Sequence, residues 1–158
     1  QALNEMVLPA LTMRKQGDIQ SLQSNLYRQL GTCMLDDAKK TMRSLIADVP
    51  YSNKKLASMD MEERYRLIIS TILNAIGIRV EVERILATGR IDIVAWLSRY
   101  IYVIELKLSN NGGIAAAEQQ ICNCGYTEPF KGDKRKVVGL AVELDSEGKG
   151  LVDWKVVE

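Results

Sequence analysis

Residues 91–108 read Ile91-Asp92-Ile93-Val94-Ala95-Trp96-Leu97-Ser98-Arg99-Tyr100-Ile101-Tyr102-Val103-Ile104-Glu105-Leu106-Lys107-Leu108. The two runs 91–97 and 100–108 are apolar at successive positions, as expected for central strands buried on both faces. If they form a hairpin turning between Ser98 and Arg99, Leu97 lies across from Tyr100, Val94 across from Val103 and Asp92 across from Glu105. A two-residue and a four-residue loop give this same register. Ser98-Arg99 lacks the Gly or Asn of a favoured tight turn, which predicts the longer loop.

Opposed residues point to one face with their Cβ atoms about 4.5–5.5 Å apart. Two carboxylates at that separation repel, and within such apolar strands they also lose hydration. A divalent cation offsets both costs. Mg²⁺, or Mn²⁺ in its place, takes hard oxygen ligands and needs only one or two carboxylates, completing its shell with water and phosphate oxygens. Lys107, two residues beyond Glu105, shares its face. A carboxylate pair with an ammonium beside it suits phosphodiester hydrolysis: Asp92 and Glu105 as metal ligands, and Lys107 to orient or activate the attacking water. The structural alternative is an ion cluster on a sheet, Asp92 paired with Lys107 and Glu105 with Arg90.

Working outward, 59–76 is a predicted helix with Met61, Tyr65, Ile68, Ile69, Ile72 and Ile76 on one face and Gly77 as its stop. Strands are predicted at 79–86, 136–144 and 151–157, a helix at 114–124 ended by Gly125, and a turn at 147–150. Upstream, 19–30 and 35–47 read as helices, Pro50 ends the second, and 51–57 reads as a linker. The fold class is therefore α/β: a central mixed sheet flanked by helices, preceded by a helical appendage over 1–57, with the main domain at 58–158.

At these residues the chain resembles a known family. Gly89-Arg90-Ile91-Asp92 followed by Tyr102-Val103-Ile104-Glu105-Leu106-Lys107 resembles the PD-(D/E)XK nuclease superfamily, with Ile91 where that pattern has Pro. More narrowly, residues 58–158 are similar to the prokaryotic nuclease-like domain found C-terminal to AAA-ATPase-like domains. Gln120-Ile121, Gly125-Tyr126, Glu128-Pro129-Phe130 and Asp153-Trp154-Lys155-Val156 support this. The resemblance implies the αβββαβ core of that fold and a metal-dependent nuclease. It also implies an ATPase-like region elsewhere in the full-length chain as partner, with 1–57 joining the two. No phosphate-binding GxxxxGK loop occurs here.

Such nucleases often add an acid from the first helix. On a helical wheel Glu62 lies about 60° from the centre of the apolar stripe and Glu63 about 160°. Asp60 makes a good N-cap with Glu63 at N3 of a capping box, so Glu62 is the expected site residue. Gln120 and Tyr126 match positions of the family pattern and are candidates for contact with substrate phosphate or water; the plain alternatives are a solvated Gln and a packed Tyr. Lys134, Arg135 and Lys136 belong to the best local cluster for a phosphate-backbone contact.

Composition narrows the chemistry. With no histidine among 158 residues, imidazole acid–base catalysis, Ser-His and Cys-His pairs and imidazole zinc sites are excluded. Three cysteines without framework spacing fit a reducing, cytoplasmic compartment. No apolar run reaches a membrane span, and no secretory pattern opens the chain. The missing initiator Met leads us to expect a longer parent protein. A net charge of +1 lacks the basic excess of many nucleic-acid binders. It keeps open a second function, a catalytically silent module of this fold that binds nucleic acid or a protein partner.

Overall fold

The computed structural model describes residues 16–49 and 54–157, leaving aside the side chains of 16–19. Helices α1 (Gln16–Gly31), α2 (Leu35–Ala47), α3 (Lys54–Ser58) and α4 (Met61–Ala75) precede strands β1 (Arg79–Leu86), β2 (Gly89–Trp96) and β3 (Tyr100–Leu108). Helix α5 (Gly113–Asn123) then leads to β4 (Lys136–Leu144) and β5 (Leu151–Val157). Residues 54–57, expected as linker, belong to the single turn α3, whose Leu56 is buried. Pro50 and 51–53 lie outside the described residues.

The strands form one sheet in the order β1-β2-β3-β4-β5. β3 and β4 are parallel and the other neighbours antiparallel. The parallel pair requires a crossover, and α5 lies within it. This is the mixed α/β architecture expected from the sequence.

Helix α4 shows why its ends fall where they do. Asp60 is the N-cap, its carboxylate accepting from the Glu63 N–H at 2.9 Å. At the far end Gly77 takes φ 91°. The Ile78 N–H reaches Leu73 O and the Gly77 N–H reaches Asn74 O. That is a Schellman cap, sealed by the buried pair Leu73 and Ile78.

Each sheet face carries its own core. On one, Ile93, Ala95, Tyr102, Ile104, Leu106, Leu140 and Val142 pack with Leu26, Leu30, Met42, Leu45 and with Ile68, Ile69 and Ile72. So α1 and α2 share one apolar core with α4. Polar bonds tie them down: Tyr102 donates to Leu30 O at 2.5 Å, Trp154 Nε1 to Leu35 O at 3.1 Å, and Arg43 to the carbonyls of Leu151 and Val152. On the other face Val94, Ile101, Val103 and Ala141 pack under Ala117 and Ile121 of α5, with Tyr126 and Phe130.

β2 breaks the alternation at its start. Ile91 and Val94 share the α5 face, whereas period two would separate them. The ladder to β3 stops at Ile93↔Ile104. The ladder to β1 skips Glu83 and Asp92, and Glu83 has φ 53°. The strand is turned at Asp92.

Candidate active site

The hairpin register places the carboxyl pair. Val94 pairs with Val103 and Ile93 with Ile104, the frame that leads toward Asp92 and Glu105, and the ladder ends there without pairing those two residues. The turn that fixes this frame closes with one bond, Leu97 N–H to Tyr100 O at 2.9 Å. Because β2 turns away there, the Asp92 side chain takes the place of the ladder: its Oδ2 accepts from the Leu106 N–H at 2.8 Å.

Both carboxyls are inside the protein, Asp92 4% exposed and Glu105 2%. Glu105 Oε2 is buried with no hydrogen-bond partner. A buried acceptor left unpaired costs about 1–3 kcal/mol, so native proteins rarely keep one without a use. Burial pushes the Glu105 carboxyl far above its ordinary range, and the hydrogen bond to Asp92 and the charge of Asp92 push it further; Lys107 works in the opposite direction. Two carboxyls this close and this buried could hold a cation between them. Two hard oxygen donors, one of them unsatisfied, fit Mg²⁺ or Mn²⁺. Among the described residues no three His, Cys, Asp or Glu side chains are grouped to hold a metal; what stands here is the two-carboxyl pair of Asp92 and Glu105.

Lys107 follows on the face of Glu105 and stands beside Glu143 of β4. Among the described residues it makes no ion pair, and Arg90 pairs with Glu83 at 3.5 Å. The pairs Asp92–Lys107 and Glu105–Arg90 of a structural ion cluster are thus not formed. Helix α4 contributes Glu62, which is half-buried. Burial raises its carboxyl above the ordinary range, Asp92 adds to the shift, and Lys107 and Arg66 oppose it. Glu62 lies in the field of Asp92 and Lys107, while Glu63 is exposed.

Gln120 and Tyr126 meet each other. Tyr126 is fully buried, and its oxygen accepts from Gln120 Nε2 at 3.0 Å and from the Arg90 N–H at 3.1 Å. The phenol thereby anchors the chain just before Asp92. Gly89 permits this approach, since a Cβ there would stand 2.7 Å from the Tyr126 oxygen. Burial raises the Tyr126 phenol, and the Glu105 charge adds to it. Tyr126→Phe would leave the Arg90 N–H and the Gln120 amide without their acceptor. A loss of about 1–2 kcal/mol in urea unfolding is expected.

Lys134, Arg135 and Lys136 stand elsewhere. Lys136 pairs with Tyr100 at the opposite end of β3, about 16 Å from Glu105 at the usual strand rise. The Arg135 guanidinium is taken by Asp133 at 3.0 and 3.1 Å and by Leu97 O at 3.2 Å. It braces the hairpin turn, and the structure does not bring it to the carboxyls.

Two residues of the site escaped the sequence reading. Arg66 Nη1 is 3.8 Å from Asp92 Oδ1, and Glu83 Oε1 is 3.1 Å from Arg66 Nη2. Arg66 was findable: it follows Glu62 by one helical turn and so shares its face. Glu83 carried no such signal.

A family model of the PD-(D/E)XK nuclease superfamily matches residues 60–154. A curated relative, the "Uncharacterized protein in vnfD 5'region" of Azotobacter chroococcum mcd 1, is 25% identical over 165 aligned positions. The alignment covers 98% of this chain, which spans 30% of that relative's length. No solved structure matches.

Proposed function

Since the chain belongs to the PD-(D/E)XK nuclease superfamily, we propose that it hydrolyses phosphodiester bonds of nucleic acid, DNA in preference to RNA, at Asp92, Glu105 and Lys107. The observation that carries this reading is the buried carboxyl pair, with Glu105 Oε2 unsatisfied. Asp92 and Glu105 would hold Mg²⁺ or Mn²⁺. When bound, the ion supplies Lewis-acid polarisation of the phosphate and acidifies the attacking water.

The chain's own residues do the rest. The Leu106 N–H fixes Asp92 Oδ2 and so the orientation of that carboxylate. Lys107, free of ion pairs among the described residues, places its ammonium where charge develops on the phosphate and orients the attacking water. Glu62 is a half-buried acceptor at the rim, positioned to hold a water against the site. Glu62→Gln should slow cleavage on the order of tenfold, and Glu63→Gln should leave it unchanged. Equal effects of the two substitutions in steady-state kinetics would remove Glu62 from the site.

The parent protein is a further part of the reading. We place an ATPase-like region in the full-length chain as the partner of this domain, a reading supported by a relative that is more than three times as long. The three free thiols support a cytoplasmic setting. Among the described residues no helix is long and apolar enough to cross a membrane.

The test is cleavage of supercoiled plasmid, single-stranded DNA and RNA with Mg²⁺, Mn²⁺ or EDTA. Metal-dependent cleavage lost in EDTA and in Lys107→Met supports a nuclease acting at this site. Binding of nucleic acid without cleavage under every condition would favour the silent module.

A further inference from the structure

Glu83 lies opposite Asp92 on β1, at the gap between the pairs Val82↔Ile93 and Arg84↔Ile91. Its backbone is left-handed, φ 53°, a conformation that costs a residue with a side chain on the order of 1 kcal/mol. Glycine would take it without strain. A glutamate in that place calls for a use of its carboxylate, since such local irregularities re-aim side chains next to active sites.

The carboxylate is aimed at two arginines. Glu83 Oε1 is 3.1 Å from Arg66 Nη2 and 3.5 Å from Arg90 Nη1. Arg66 comes from α4, and its side chain is 17% exposed. Its other terminal nitrogen stays 3.8 Å from Asp92 Oδ1, beyond hydrogen-bonding reach. One guanidinium thus stands between two carboxylates, with its closer ion pair to Glu83.

Resting on the cation-site reading above, we infer that Glu83 is a positioning residue that withholds the Arg66 guanidinium from Asp92 and so keeps Asp92 open to a divalent cation. A largely buried guanidinium must have an acceptor. Without Glu83, the carboxylates facing Arg66 are Asp92, 3.8 Å away, and Glu62, whose carboxyl the Arg66 charge lowers. A pair with either one fixes a positive charge beside the cation site. Arg66 then competes with the metal, and Glu83 prevents that competition.

The experiment is Mn²⁺ titration by calorimetry of wild type, Asp92→Asn, Glu83→Gln, Arg66→Gln and the Glu83→Gln/Arg66→Gln double variant, with thermal melts as the check on folding. Wild type binds and Asp92→Asn does not. Glu83→Gln weakens binding on the order of tenfold, Arg66→Gln tightens it several-fold, and the double variant binds at least as well as wild type. Unchanged affinity in Glu83→Gln overturns the inference while leaving the cation site standing. So does a double variant as weak as Glu83→Gln alone, which would make Glu83 a ligand or a support of the fold. If Glu83→Gln fails to fold, Arg66→Gln decides: affinity equal to or below wild type overturns the inference. Absence of Mn²⁺ binding in wild type removes the cation-site reading and the inference together.

Discussion

Asp92→Asn should abolish metal-dependent cleavage, by on the order of a thousandfold or more, while the metal-free protein stays as stable as wild type or gains stability. Both halves follow from what Asp92 touches. As a ligand it supplies one of two buried carboxylates, and the amide does not replace that charge. As a structural group it accepts from the Leu106 N–H, which the amide oxygen of Asn still does. The amide nitrogen gains an acceptor in Glu105, whose Oε2 has no partner in the wild type. The one loss is the 3.8 Å ion pair with Arg66, which keeps its ion pair with Glu83. Melts in EDTA and in Mg²⁺ check this: wild type gains stability from Mg²⁺ by linkage and the variant does not. A variant that melts clearly lower in EDTA would make Asp92 a structural ion.

Glu105→Gln should raise metal-free stability at pH 8 by about 1–3 kcal/mol, the usual cost of an unsatisfied buried polar group. It should also flatten the dependence of stability on pH. Burial first, then the hydrogen bond to Asp92 and its charge, push the Glu105 carboxyl from 4.5 up to about 10. Between those values the folded chain keeps a proton that the unfolded chain has released. The stability contributed by Glu105 is therefore complete below about pH 4.5, falls as pH rises, and is lost once pH passes about 10. Gln carries no such proton, so its urea midpoint should drift less across that window. Binding of Mg²⁺ must displace this proton, so calorimetry in buffers of different ionisation enthalpy should record release of about one proton per ion at pH 8. A wild-type profile as flat as that of Glu105→Gln would show that Glu105 is ionised in the metal-free fold.

The parts of the fold readable from sequence are those ruled by a strict period. Side chains alternate along strands, so the frame that sets Leu97 near Tyr100 also sets Ile93 opposite Ile104 and leads on to Asp92 and Glu105. The same regularity on a helix separates half-buried Glu62 from exposed Glu63. What was not readable depends on breaks in period or on partners distant in the chain. The positive φ of Glu83 leaves no mark in a run such as Arg79-Val80-Glu81-Val82-Glu83-Arg84. The turn of β2 at Asp92, which brings Ile91 to the face of Val94, follows from that same irregularity. Arg135 looked like a cation for phosphate because its bonds to Asp133, two residues back, and to the Leu97 carbonyl appear only in the folded chain. The periodicity of α1 and α2 showed apolar stripes without showing that they cover the sheet face of Tyr102 and Trp154.

Cleavage as proposed requires a divalent cation seated between Asp92 and Glu105. Anomalous diffraction at the manganese edge from crystals grown with Mn²⁺ tests that directly. It should give one strong peak within about 2.0–2.4 Å of an oxygen of each carboxylate, lost in crystals of Asp92→Asn. An empty pair at saturating Mn²⁺, with Arg66 closed onto Asp92, would contradict it.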